Sequence, residues 1–129
     1  MHFHFASTLH TPEVQIDLTK GIILLRGSCF PENAIEFFEP ILKFLRENLS
    51  KSPTSSLKLH LELTYINSAA RKALWQLVNF LLEACTSLQI VLYRGTEEDE
   101  LEDYEELIRV WEGKPRLQIE ERDGYYELR

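Results

Sequence analysis

Asn67-Ser68 puts an amide and a hydroxyl side by side where the hydropathy pattern of the chain changes period. Upstream, Leu57, Leu59, Leu61, Leu63 and Tyr65 alternate with Lys58, His60, Glu62 and Thr64, the two-residue period of a strand with one buried face. Downstream, Ala70, Ala73, Leu74, Leu77, Phe80, Leu81 and Ala84 recur at three- and four-residue steps, as one face of a helix requires. Ser68 therefore falls at a strand-to-helix junction, where the first backbone N–H groups lack intrahelical partners. The structural role expected of its hydroxyl is an N-cap, whose loss in Ser68→Ala would cost about 0.5–2 kcal/mol. The chemical role is to accept a phosphoryl group. A phosphate there meets the positive end of the helix dipole, can accept from N–H groups near Ala70 and Arg71, and has the side chains of Arg71 and Lys72 close by. It adds about −1.5 to −2 of charge at neutral pH, so the fold survives while any surface docked over the site must bury a dianion.

Other residue types that could do chemistry are less well arranged. His2, His4 and His10 suggest a metal site, but they lie near a terminus expected to be loose and lack a Cys or acidic partner at matching local spacing, so no metal is expected. Ser68, His60 and Glu62 contain the residue types of a hydrolytic triad. His60 and Glu62 share one sheet face in the body of the strand, well before the helix start that carries Ser68, which argues against that assembly. Glycine-rich phosphate loops, GxSxG and HExxH motifs do not occur, and no catalytic residue and no cofactor is expected. The acidic run from Glu97 is interrupted by Leu101, Tyr104 and Leu107 at helical intervals, so its carboxylates form a solvated helix face or a docking surface rather than a cation loop. Cys29 and Cys85 form neither a metal pair nor a disulfide framework, and Cys85 is expected to pack as a buried thiol.

A formal net charge of −7 repels nucleic acid and anionic membrane and suits a chain that meets other proteins. A hydrophobic content of 44% over 129 residues argues against disorder and gives enough apolar surface for a core, so residues 1–129 are expected to form one domain. The longest apolar runs are far too short to span a bilayer, and the N-terminus lacks the plan of a secretory signal, so a cytoplasmic location is expected.

The elements that must hold Ser68 follow from the same periodicities. Val14 to Leu18 and Ile22 to Arg26 form an opening hairpin through Lys20-Gly21, the second strand being apolar enough to be buried on both faces. Pro31-Glu32-Asn33 opens a helix with an apolar stripe from Ala34 to Leu49, and Pro40 is expected to kink or break it near Glu36. A polar loop over Ser50 to Ser56 leads to the strand Leu57 to Tyr65. The helix after Ser68, a strand Leu88 to Tyr93 and an acidic helix Glu97 to Glu112 ended by Gly113 come next. Leu117 to Glu121 and Tyr125 to Leu128 flank Asp123-Gly124, a hairpin signal. Strands alternating with helices after a hairpin imply an α/β fold, a mixed β-sheet of roughly four to six strands with helices packed mainly on one face.

Three separated segments carry a resemblance. Thr11-Pro12-Glu13-Val14 with Asp17 and Gly21, then Gly27-Ser28-Cys29-Phe30-Pro31-Glu32-Asn33 with Phe37, Phe38 and Pro40, then Tyr65-Ile66-Asn67-Ser68-Ala69-Ala70-Arg71-Lys72 resemble the SiaC-type regulatory phosphoproteins, a bacterial family with the STAS or SpoIIAA-like fold. The resemblance covers about residues 11 to 85 and implies a single SpoIIAA-like regulatory domain. It implies that the residue after the asparagine is phosphorylated by a dedicated Ser/Thr kinase, is reset by a phosphatase, and in its unmodified form lets the protein bind and activate a diguanylate cyclase. Here that residue is Ser68, which keeps the hydroxyl. Ala69 and Ala70 replace serines of the family pattern, and Cys29 and Phe30 replace its serine and tyrosine.

The sequence reading is thus a non-enzymatic regulator switched at Ser68, with Asn67, Ala69, Arg71, Lys72, Glu32 and Asn33 as its partner-binding surface. Two rivals remain: a constitutive interaction domain in which Ser68 is only a cap, and a small-ligand-binding domain using the polar sheet face around His60 and Glu62. A large lined concavity near His60 favours the last; a flat exposed surface at Ser68 favours the other two.

Overall fold

The computed structural model describes residues 2–49, 54–94, 98–124 and 126. Its elements run β1 (His2–Phe5), β2 (Glu13–Asp17), β3 (Ile22–Ser28), α1 (Ala34–Leu49), β4 (Thr54–Thr64), α2 (Ser68–Ala84), β5 (Cys85–Arg94), α3 (Glu98–Trp111) and β6 (Leu117–Asp123). The six strands make one sheet in sequence order, β1-β2-β3-β4-β5-β6. The first two pairings are antiparallel and the remaining three parallel. Crossovers between parallel strands are right-handed in nearly all proteins. Three successive crossovers that each advance one strand in the same direction must put their helices on the same face. The mixed α/β sheet with helices on one side follows from that rule.

The core lies between the sheet and those helices. Val14, Ile16, Ile23, Leu25, Leu57, Leu59, Leu61 and Leu63 meet Phe38, Ile41, Leu45, Leu74, Leu77 and Leu81, all buried. The alternation of β4 thus selects its inward face as expected, and β3 is buried on both faces, Leu24 included. Gly21 takes a positive φ of 69° in the β2–β3 turn, and a Cβ there would lie 3.0 Å from the Ser56 carbonyl oxygen, so the turn requires glycine.

Several expectations are corrected. His2–Phe5 is an edge strand rather than a loose terminus, its register pairing His4 with Gln15, and Phe3 and Phe5 pack toward Phe44 and Phe37. Four residues of alternating histidine and phenylalanine are too short a period to stand out before β2 is there to pair with. The helix α1 runs through Pro40 without a break; the Glu36 carbonyl that loses its donor is on an exposed residue, where water can replace the bond. β4 begins at Thr54, inside the expected loop, because Thr54 and Ser56 pair with Cys85 and Ser87 of β5. β5 starts directly at the end of α2, with Cys85 as the C-cap, its N–H bonded to the Leu81 carbonyl. Of the second arm of the expected C-terminal hairpin only Tyr126 is described: it lies over the open sheet face, in no strand, with its ring against His60. The rest of the predicted second arm, Tyr125, Glu127 and Leu128, falls outside the described residues. Among the described residues, no helix is long and apolar enough to cross a membrane.

Candidate functional site

Parallel strands β3 and β4 end side by side, and each feeds a helix whose first turn is capped by an asparagine. In the β3–α1 loop, Asn33 Oδ1 accepts the Glu36 N–H at 3.0 Å. In the β4–α2 loop, Asn67 is extended (φ −81°, ψ 169°) and its Oδ1 accepts the Ala70 N–H at 2.8 Å. The two loops are bonded together. Cys29 N–H donates to the Thr64 carbonyl, Asn67 N–H to the Cys29 carbonyl, and Asn67 Nδ2 to the Pro31 carbonyl at 3.3 Å. Cys29 is fully buried beneath this seam, and burial pushes its thiol up to about 12, so it is a packing group rather than a nucleophile.

The expected cap at Ser68 is therefore corrected: the cap is Asn67, and Ser68 is the first helical residue. Asparagine caps at least as well as serine, and the chain needs only one residue in the capping geometry. Ser68 is exposed, and its hydroxyl makes no hydrogen bond among the described residues. The N–H groups assigned to a phosphate also shift. Asn67 engages Ala70 N–H through its side chain and Arg71 N–H through its carbonyl, which leaves the Ser68 and Ala69 N–H groups without an intrahelical partner.

Ala69, Lys72, Glu32 and Asn33 are exposed and Asn67 is half-buried, so the helix starts do form one surface. Arg71 departs from its expected role. Its guanidinium reaches sideways to the Glu106 carboxylate on α3, and the side chain is only 17% exposed. The same helix braces the strand below: the buried Tyr104 hydroxyl accepts the Leu63 N–H at 2.7 Å and lies within bonding distance of the Leu61 and Leu63 carbonyls. Tyr104, Leu107 and Trp111 are buried as the helical spacing predicts, while Leu101 lies outside the residues whose side chains are described.

Tyr65 is the residue the sequence reading misassigned. Alternation placed it inward with Leu63, but β4 ends at Thr64 and Tyr65 takes a positive φ of 52°, which turns its ring out to 62% exposure. Its edge meets Phe30, whose other neighbour is His10. Of the four large hydrophobic residues most exposed among the described ones, three flank these loops: Leu9 beside His10, Ile35 in the first turn of α1, and Tyr65. A positive φ at a non-glycine residue costs energy that ordinary turns avoid, and it was not readable from residue type.

Away from this end, the polar candidates separate. His60 is buried and bonds the Tyr93 hydroxyl at 2.8 Å, while Glu62 pairs with Arg26. Ser68 joins neither, so no triad is assembled. Burial lowers the His60 pKa to about 4, with further lowering from Lys58 and Arg122, so the ring is neutral at pH 7. His4 and His2 face acids that come from β2 rather than from nearby sequence: Glu13 at 3.1 Å and Asp17 at 3.8 Å. His10 instead packs on Phe30, and no cluster able to hold a metal is found among the described residues.

Residues 5–114 match the family described as SiaC family regulatory phosphoprotein. The chain belongs to the SiaC family. The fold agrees: SiaC of Pseudomonas aeruginosa superposes with a TM-score of 0.80 at 22% identity, covering 96% of this chain and 99% of that one. Its apo crystal structure gives a TM-score of 0.75 at 25% identity over 93% of this chain and 98% of that one. A chain in the crystal structure of the diguanylate cyclase SiaD in complex with its activator SiaC, from the same organism, gives 0.78 at 21% identity over 95% and 99% of the two chains. An uncharacterized protein of Pseudomonas aeruginosa (strain UCBPP-PA14) is 31% identical over 81 residues, which are 63% of this chain and 64% of that protein's length.

Proposed function

We propose that this SiaC-family chain is a single regulatory domain, not an enzyme, that binds and activates a diguanylate cyclase through the surface around Ser68, and that phosphorylation of Ser68 releases the partner. A Ser/Thr kinase and a phosphatase set the balance between the two forms. The observation that carries this reading is the division of labour at the start of α2. Asn67 caps the helix, so the Ser68 hydroxyl is exposed and has no structural duty to lose on modification. The solved complex of SiaD with its activator SiaC supplies the partner class.

The surface suits both states. Tyr65, Ile35 and Leu9 offer exposed apolar anchors near the exposed helix start made by Ser68 and Ala69. A phosphate on Ser68 would be held by the Ser68 and Ala69 N–H groups and would stand one helical turn from Arg71, where it competes with Glu106 for the guanidinium. Glu32, Asn33 and Lys72 complete the rim, and a partner seated there would have to cover a dianion.

Purified unmodified and kinase-phosphorylated protein, compared for binding to the diguanylate cyclase that co-purifies from the native host, tests this directly. Unmodified protein and Ser68→Ala are expected to bind and to raise cyclase activity, whereas the phosphorylated protein binds at least about tenfold more weakly. Equal binding by the phosphorylated and unmodified forms ends the switch reading.

A further inference from the structure

The three helices cover one face of the sheet, and the opposite face carries a concavity of about 1040 Å³ near the N-terminal ends of β4 and β5. Ser68 follows the C-terminal end of β4, so this concavity lies toward the other end of the strand. In a chain whose formal net charge is −7, the described residues of its lining include four cationic side chains, Lys20, Lys58, Arg116 and Arg122, against one carboxylate, that of Asp123. In register, Lys58 stands between Ile22 of β3 and Gln89 of β5, and Gln89 faces Gln118 of β6; the acid of this row, Asp17, lies beyond Ile22 on β2, where it faces His2. Lys20 and Lys58 are exposed and make no ion pair among the described residues. Arg122 bonds Glu120 and the Tyr93 hydroxyl, and its five-donor fork leaves further N–H groups for a ligand.

One wall is aromatic. Tyr126 folds back from the end of β6 across the sheet, its ring centroid 4.7 Å from that of His60 and 5.8 Å from that of Tyr93. Its carbonyl accepts from Arg26, whose guanidinium carbon lies 5.6 Å over the same ring. The ring is held at the edge of the concavity by His60 and Tyr93, which line it too, and by Arg26, which does not, and its half-buried state leaves part of it available. Hydroxyls of Ser56 and Ser87, paired in register, add neutral donors at the opposite end.

We propose that this concavity is a binding site for an organic anion carrying a planar ring, its charge held by Lys58, Lys20 and Arg122 and its ring against Tyr126. Cations with nearby aromatic faces are the combination that recognises such ligands, because the charge contributes attraction and the ring contributes area and orientation. The site is independent of Ser68 and goes beyond the phosphorylation switch; its lining includes His60, the position at which a concavity is expected to favour small-ligand binding.

Phenyl phosphate is the probe, titrated into the isotope-labelled full chain at low ionic strength and followed by amide chemical shifts, with inorganic phosphate and phenol as controls. Saturating shifts are expected at Lys58, Gln89 and Gln118, with Ser68 and Asn33 unmoved, and each control should bind at least about tenfold more weakly than phenyl phosphate. Lys58→Ala and Arg122→Ala, both on exposed side chains and therefore expected to fold, should each weaken binding by about three- to tenfold. Tyr126→Ala should remove the preference over inorganic phosphate. Shifts centred on the helix starts, equal affinity for inorganic phosphate, or no saturation would overturn the proposal. So would a concentration-dependent dimer abolished by Lys58→Ala, which would assign the face to a second copy of the chain.

Discussion

At the residue scale, neighbouring side chains at the start of α2 divide two duties that the sequence reading gave to one. Asn67 orders the turn through four hydrogen bonds, while Ser68 presents an unused hydroxyl. Asn67→Ala is expected to destabilise the protein by about 0.5–2 kcal/mol in denaturant unfolding, whereas Ser68→Ala should stay within about 0.5 kcal/mol of wild type. The reverse order would return the cap to Ser68. His60 gives a second residue-scale expectation with a definite sign. Its folded pKa is lowered from an ordinary 6.5 to about 4, mainly by burial, so acid protonates the unfolded chain before the folded one. The stability this ring contributes is present above pH 6.5 and is lost as pH falls toward 4. Thermal melting of His60→Gln across that window should fall less steeply than wild type; parallel curves would show that the ring does not titrate as described.

At the element scale, α3 does more than cover the sheet. Its Tyr104 hydroxyl serves the backbone of β4 at Leu63, two residues before the turn that exposes Tyr65. Tyr104→Phe strands a buried N–H and should cost about 1–3 kcal/mol, with faster amide exchange at Leu63. An unchanged exchange rate there would mean that another acceptor serves Leu63. The Arg71–Glu106 pair joins α3 to the Ser68 turn on a carboxylate that is 54% exposed, so Glu106→Gln should change resting stability by no more than about 1 kcal/mol. In phosphorylated protein the same variant should make the phosphate harder to remove, because Arg71 no longer has a competing carboxylate. A dephosphorylation rate identical to wild type would show that Arg71 does not turn to the phosphate.

At the scale of the whole molecule, sequential strand order produces two unlike faces and two unlike ends. Helices shield one face, polar side chains and the Tyr126 return occupy the other, and the C-terminal ends of β3 and β4 carry the helix starts. The antiparallel side closes with β1, which pairs the outer edge of β2 and brings Phe3 and Phe5 onto the core. Deleting residues 1–5 should lower stability by about 1–3 kcal/mol through the two lost rings and promote self-association through the newly unpaired edge. Thermal melting and size-exclusion chromatography read both effects, and an unchanged monomer with unchanged melting would show β1 to be dispensable.

Local periodicity made much of this fold legible. The inward face of β4, the apolar stripes of α1 and α2, the doubly buried β3 and the buried members of α3 all follow from residues a few positions apart, because strand and helix geometry repeat at short fixed intervals. The strand-to-helix junction at Asn67-Ser68 was legible for the same reason, as was the one-sided sheet. Tertiary structure alone decided which of the two residues caps, that Tyr65 turns outward, that Arg71 pairs with Glu106, that residues 2–5 form a strand, and that Tyr126 crosses the open face to His60. Each depends on a partner distant in sequence or on a single backbone torsion. A periodic pattern carries no information about either, since it records how a segment repeats and not what it meets.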